Sequence, residues 1–169
     1  MTPKEGPGAS GAPPLLDPIH HHTGSVAGSA RKSAMSHVKK IPGTDHPITL
    51  EPTAGRVVVR LSDRIIADTD RALTMREASY PPVYYIPLTN VDLSALLPSS
   101  TTTYCPYKGE ASYHGLTTTN GHSIDHSADH GADVPDALWT YPEPYPAVSA
   151  IAGHVAFYPD KVHIELIPG

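Results

Sequence analysis

The sequence predicts a mainly β domain, a small antiparallel sheet or an open barrel with one or two short helices. Short runs of alternating apolar and polar residues recur from Ile48 to Leu166, which is the period-2 signature of half-buried strands. Nineteen prolines punctuate the chain, many of them at the ends of those runs. Helical spacing is confined to two short stretches, so the strand-helix-strand rhythm of a parallel sheet is missing.

Taken in order, residues 1–34 are rich in Gly, Ala, Pro and Ser, hold no aromatic residue and show no sustained period. Such a segment is expected to be disordered. Met35 begins a stretch that would make an ordinary chain start, so residues 1–36 read as a dispensable extension and 37–169 as one domain. His20, His21 and His22 in this tail read as adventitious chelators, not as a metal site.

In Arg56-Val57-Val58-Val59-Arg60-Leu61 the residues Val57, Val59 and Leu61 share one face. Ser62-Asp63 is a turn signal, and residues 64–69 supply the returning strand of a hairpin. Residues 72–77 read as a third strand with Leu73 and Met75 inward, with a short helix as the alternative that their helix formers allow. Val83-Tyr84-Tyr85-Ile86 is a brief strand stopped by Pro87. Asn90 or Asp92 suits the cap of one helical turn running through Leu93, Leu96 and Leu97.

A strand is expected from Ala111 through Tyr113, then a polar insertion at about 117–134, then a strand around Leu138-Trp139-Thr140-Tyr141. Pro146 suits a first helical position, Val148, Ile151 and Ala152 fall at i, i+3, i+4, and Gly153 suits the far end. Residues 155–158 and 162–166 alternate around Pro159-Asp160-Lys161, a second expected hairpin with Val162, Ile164 and Leu166 on its buried face.

The totals exclude several classes of function. A net charge of −5 with scattered lysines and arginines gives no basic stripe, which argues against nucleic acid as the main partner. No apolar run approaches the roughly 20 residues that span a bilayer, and the N-terminus lacks the apolar stretch of a signal peptide. A cytoplasmic location is therefore expected. The single cysteine cannot form an internal disulfide, in keeping with a reducing compartment.

Chemistry concentrates in Thr103-Tyr104-Cys105-Pro106-Tyr107-Lys108-Gly109-Glu110-Ala111-Ser112-Tyr113, which joins the only cysteine, two opposite charges and three tyrosines. Proline forces Cys105 out of the α region, so Cys105, Lys108 and Glu110 are expected at a loop-to-strand junction. Lys108 and Glu110 are two apart, which on a regular strand puts them on one face, able to pair. A cysteine nucleophile would need its thiolate, which Lys108 or a histidine such as His114 or His154 would favour. The alternative is that Cys105 is a small buried residue.

All nine tyrosines, the tryptophan and the phenylalanine lie between Tyr80 and Tyr158. A ninefold excess of tyrosine over phenylalanine suits a surface that is apolar in body and wet at its edges, such as a pocket or an interface. The competing reading places the tyrosines at sheet edges and turns, each bonded locally.

The segments Cys105-Pro106-Tyr107-Lys108-Gly109-Glu110-Ala111-Ser112-Tyr113, Trp139-Thr140-Tyr141-Pro142-Glu143-Pro144 and Ile151-Ala152-Gly153-His154-Val155-Ala156-Phe157-Tyr158 together resemble the domain of unknown function 427 family (DUF427). Gly55-Arg56-Val57, Ile66-Ala67-Asp68, Arg71-Ala72-Leu73 and Tyr84-Tyr85-Ile86-Pro87 extend the likeness to roughly residues 37–167. The resemblance implies a small, mainly β domain of bacterial type with a loose nucleotidyltransferase-like label and no substrate to carry over. Two features depart from the family pattern, the N-terminal extension and a lengthened segment between Tyr113 and Trp139. The second contains His122-Ser123-Ile124-Asp125, His126-Ser127-Ala128-Asp129 and His130-Gly131-Ala132-Asp133. On a helix those histidines would line one face and adjacent pairs could hold a metal, but a tandem repeat of small polar residues reads better as a surface loop.

These readings converge on a small-molecule pocket for a polar or anionic ligand. Cys105, Lys108 and Glu110 are expected at its polar, catalytic end, and Tyr85, Tyr107, Tyr113, Trp139 and Tyr141 as its walls. No metal site and no particular cofactor is assigned. A second hypothesis is a noncatalytic module whose aromatic surface meets a protein partner. The third is nucleotidyl transfer at Asp68-Thr69-Asp70-Arg71, the one carboxylate pair with suitable spacing for a divalent metal; it lacks a preceding Gly-Ser helix start and any phosphate-binding glycine loop.

Overall fold

The computed structural model describes residues 38–119 and 133–169. The extension at 1–36, the His20–His22 run and the histidine tetrapeptides of the polar insertion, apart from Asp133, lie outside the described residues.

Ten strands run in chain order: β1 (Ile48–Pro52), β2 (Arg56–Leu61), β3 (Arg64–Thr69), β4 (Leu73–Glu77), β5 (Val83–Pro87), β6 (Leu96–Cys105), β7 (Gly109–Leu116), β8 (Val134–Thr140), β9 (His154–Phe157) and β10 (His163–Ile167). Seven form one sheet in the order β1-β4-β5-β9-β8-β7-β6, and three form a second in the order β10-β2-β3. Each strand pair is antiparallel. The expected mainly β, open antiparallel class is the observed one.

Alternation along the central strands divides the interior in two. Ile86, Leu138 and Val155 join Val57, Val59 and Ile66 in a core between the two sheets. Their chain neighbours Tyr85, Trp139 and Ala156 point the other way, into a second core with Tyr113, Tyr141 and Cys105, covered by Val148 and Ile151. A period of 2 sends adjacent residues to opposite faces, so a sheet buried on both faces fills two cores from the same strands.

Several local expectations need correction. Residues 155–158 and 162–166 do not form a hairpin: β9 lies between β5 and β8, while β10 pairs with β2 in the other sheet. The turn at Pro159–Lys161 therefore crosses between layers, and Leu166 is 40% exposed at a sheet edge. The helix expected after Pro146 is a run of 3₁₀ turns over Pro146–Ile151, interrupted at Val148. Asp92 caps a single 3₁₀ turn, Leu93–Ala95, by accepting a hydrogen bond from the Ser94 N–H. Leu96 and Leu97 then open the ten-residue strand β6 and do not continue a helix.

β6 loses its register with β7 between Pro98 and Thr102. Beside that break Asp136 of β8 adopts φ 46°, and its carboxylate accepts hydrogen bonds from the hydroxyls of Ser99 and Thr101. Gly55, at φ 121°, immediately precedes β2 beside the C-terminal end of β10, where a β-carbon would collide with the Ile167 carbonyl.

Candidate functional site

The expected aromatic walls converge, and they do so as a packed interior. Tyr85, Tyr113, Trp139 and Tyr141 have almost no accessible surface. The Trp139 indole N–H donates to the Tyr85 hydroxyl at 3.3 Å, with the two rings edge to face at 6.4 Å. Tyr158 packs on Trp139 at 4.7 Å, and the Tyr113 and Thr103 hydroxyls are 2.8 Å apart. Among the described residues the Tyr141 hydroxyl has no hydrogen-bond partner. Burial pushes the phenols of Tyr85 and Tyr141 well above the usual tyrosine range, so both stay protonated. Cys105 closes this core with a buried free thiol.

Lys108 enters the same core from the turn between β6 and β7. Its N–H bonds the Cys105 carbonyl at 3.2 Å, and its own carbonyl accepts the Tyr145 N–H at 3.0 Å. The following Gly109 takes φ 109°, a conformation open to glycine, with the Glu143 carbonyl 3.2 Å from where a β-carbon would sit. This backbone reversal aims the lysine inward. Its ammonium donates to Oε2 of Glu77, the last residue of β4, and lies 5.9 Å from the Tyr141 ring centroid. Lys108 does not pair with Glu110. It belongs to a turn, so strand alternation does not govern it, and Glu110 faces solvent opposite Tyr104.

The other oxygen of Glu77 leads outward. Oε1 lies 2.8 Å from His46 Nε2, and because a carboxylate only accepts, Nε2 is the donor and Nδ1 the free acceptor of the neutral ring. His46 is held by a tight hairpin with Gly43, closed by backbone bonds of 3.1 and 3.2 Å, while the Lys40 N–H ties the segment to the Pro106 carbonyl. Tyr107 stacks on the imidazole, centroids 4.0 Å apart and planes within 7°. His46, Tyr107, Lys40, Ile41, Thr44 and Asp45 line a recess of about 390 Å³.

Three polar groups are thus strung from surface to interior: His46, 23% exposed, then Glu77 at 7% and Lys108 at 2%. Of the expected site residues, Lys108 and Tyr107 take part. Tyr85, Tyr113, Trp139, Tyr141 and Cys105 pack behind them, and Glu110 stands apart. His46 and Glu77 were missed. A signal existed for Glu77: on the strand that turns Met75 inward, residue 77 falls on the same face, and a carboxylate on a buried face requires a partner.

A second polar recess of about 390 Å³ is lined by Arg56, Asp68, Thr69, Asp70, Arg71 and Asn90. Asp68 is engaged by Arg56 through both oxygens, which holds its carboxyl below the usual range. Thr69 and Arg71 both donate to the Asn90 side-chain oxygen, at 3.0 and 3.2 Å. Among the described residues no three His, Cys, Asp or Glu side chains gather as metal ligands, and no helix is long and apolar enough to cross a membrane.

Comparison with known families matches residues 49–167 to a model described as a domain of unknown function (DUF427), which carries the short label of an NTP transferase. No curated protein matches the chain.

Proposed function

We propose, for a chain that belongs to the DUF427 family, that it binds a small polar molecule in the recess over His46 and Tyr107 and moves a proton to or from it through His46. The observation that carries this reading is the continuous line His46–Glu77–Lys108. A buried ion pair is a poor way to stabilise a fold, since apolar residues of similar volume usually do as well or better. A role in holding a surface histidine accounts for its presence. Glu77 fixes the ring so that Nδ1 is the proton acceptor, and Lys108 balances the carboxylate that would otherwise stand uncompensated in the core. Lys108 and Glu77 are then positioning residues, His46 is the acid-base group, Tyr107 is a stacking wall, and Cys105 is packing.

Thermal shift of the full chain against a panel of small metabolites tests this. A ligand at a hundredfold excess over its Kd adds about 2.7 kcal/mol to stability, a rise of several degrees. Tyr107→Ala should abolish the shift and His46→Gln should remove any turnover. Stabilisation that survives Tyr107→Ala would place the ligand elsewhere.

The transferase label and the recess of Asp68, Asp70, Arg71 and Asn90 favour a second reading, metal-dependent nucleotidyl transfer. Its signature would be stabilisation by a nucleoside triphosphate only with Mg²⁺, lost in Asp70→Asn. Co-purification of a protein partner with no response to either panel would favour the interaction module.

A further inference from the structure

Resting on the recess reading above, we propose that the molecule bound over His46 and Tyr107 is a small zwitterion, an α-amino acid with an apolar side chain or a compound with the same head group. Lys40 and Asp45 both line the recess, yet they do not pair with each other. Among the described residues neither side chain forms an ion pair or a hydrogen bond; the Lys40 ammonium only overlooks the Tyr107 ring, 5.9 Å from its centroid. The charged groups just beneath behave differently, since Glu77 is occupied at both oxygens and Lys108 is spent on it.

Two opposite charges that line one recess without pairing favour a ligand that carries both complementary charges. A lone anion would gain from Lys40 and be repelled by Asp45, and a lone cation the reverse. A carboxylate against Lys40 and an ammonium against Asp45 satisfy both. Tyr107 and Ile41 supply apolar surface for the side chain, and Thr44 adds a hydroxyl. The volume of about 390 Å³ lies at the small end of ligand sites, which suits a molecule of amino-acid size.

Isothermal titration of the full chain with L-leucine and L-phenylalanine, and with N-acetyl-L-phenylalanine and L-phenylalaninamide, tests this. At least one free amino acid should bind, and each blocked derivative should bind at least tenfold more weakly than L-phenylalanine. Asp45→Asn should erase the preference over the N-acetyl compound, and Lys40→Gln the preference over the amide. If neither amino acid binds, or if both derivatives bind within threefold of the parent, the zwitterion proposal is overturned. Should the derivatives bind equally and Tyr107→Ala still abolish binding, the recess reading survives without it. A metabolite-panel ligand that is insensitive to Tyr107→Ala would remove the recess reading itself.

Discussion

Replacing Lys108 with methionine removes a cation while keeping a long apolar stem in the same space. Lys108 is 2% exposed and Glu77 7%, so in the variant the carboxylate remains inside with His46 as its remaining partner. Breaking a buried pair from one side costs about 3–5 kcal/mol, because the surviving charge is left uncompensated. The carboxylate keeps one hydrogen bond, from His46 Nε2, which sets the expected loss near the lower end, about 3 kcal/mol. With a urea m-value of about 1–3 kcal/mol/M the midpoint should fall by about 1–3 M. The double variant Lys108→Met/Glu77→Gln should recover most of that loss, since no buried charge is then left alone. Urea unfolding followed by the fluorescence of Trp139, the single tryptophan, reads all of these variants. A loss under about 1 kcal/mol for the single variant, or a double variant no more stable than it, would refute the reasoning.

The core hydroxyls give a paired test: Tyr141→Phe deletes a group with no partner among the described residues and should leave stability unchanged or raise it by about 1 kcal/mol, whereas Tyr85→Phe orphans the Trp139 N–H and should cost about 1–3 kcal/mol in the same urea assay. Gly55→Ala should cost about 2 kcal/mol or more, from the strained backbone and the collision with Ile167, seen as a lower Tm. Asp92 accepts hydrogen bonds from Ser94 and Arg64, and these hold its carboxyl below the ordinary range. A folded-state pKa below the unfolded value means its contribution is full above about pH 4 and lost as pH falls through the depressed value. Asp92→Asn should therefore have a lower Tm than the parent at pH 7, and the gap should narrow steadily as scans are taken further below about pH 4; a gap that does not narrow would contradict this assignment.

Much of the fold was legible because alternation is a local signal. β2 and β3 follow from Val57, Val59 and Leu61 with the Ser62-Asp63 turn, and their bounds agree with the structure. The partner of each strand was less legible. Nothing in residues 155–166 tells that Pro159–Lys161 carries the chain from one sheet to the other, since strand pairing is a long-range choice made by the whole core. β6 is hidden by its composition, because Pro98 and the run of Ser and Thr after it show no alternation of apolar and polar residues. In the site, Tyr107 and Lys108 could be singled out from their crowded neighbourhood, but their partners stand 31 residues or more away at Glu77 and beyond, at His46. The tyrosine excess suits a pocket or an interface, or locally bonded edges; Tyr85 and Tyr113 instead bond within the core, and Tyr141 is buried there with no partner for its hydroxyl among the described residues. Glu110 misled because a charge two residues from a lysine is an attractive partner only where the backbone stays extended.

The break in β6 bears on how the molecule behaves in a crowd. A smooth outer strand of ten residues would offer neighbouring molecules a seed for sheet growth from one copy to the next. Asp136 of β8 holds Ser99 and Thr101 where the ladder slips, so the pairing of the rim strand with β7 is not regular along its length. An interrupted ladder is a poorer template for edge-to-edge addition than a regular strand of the same length.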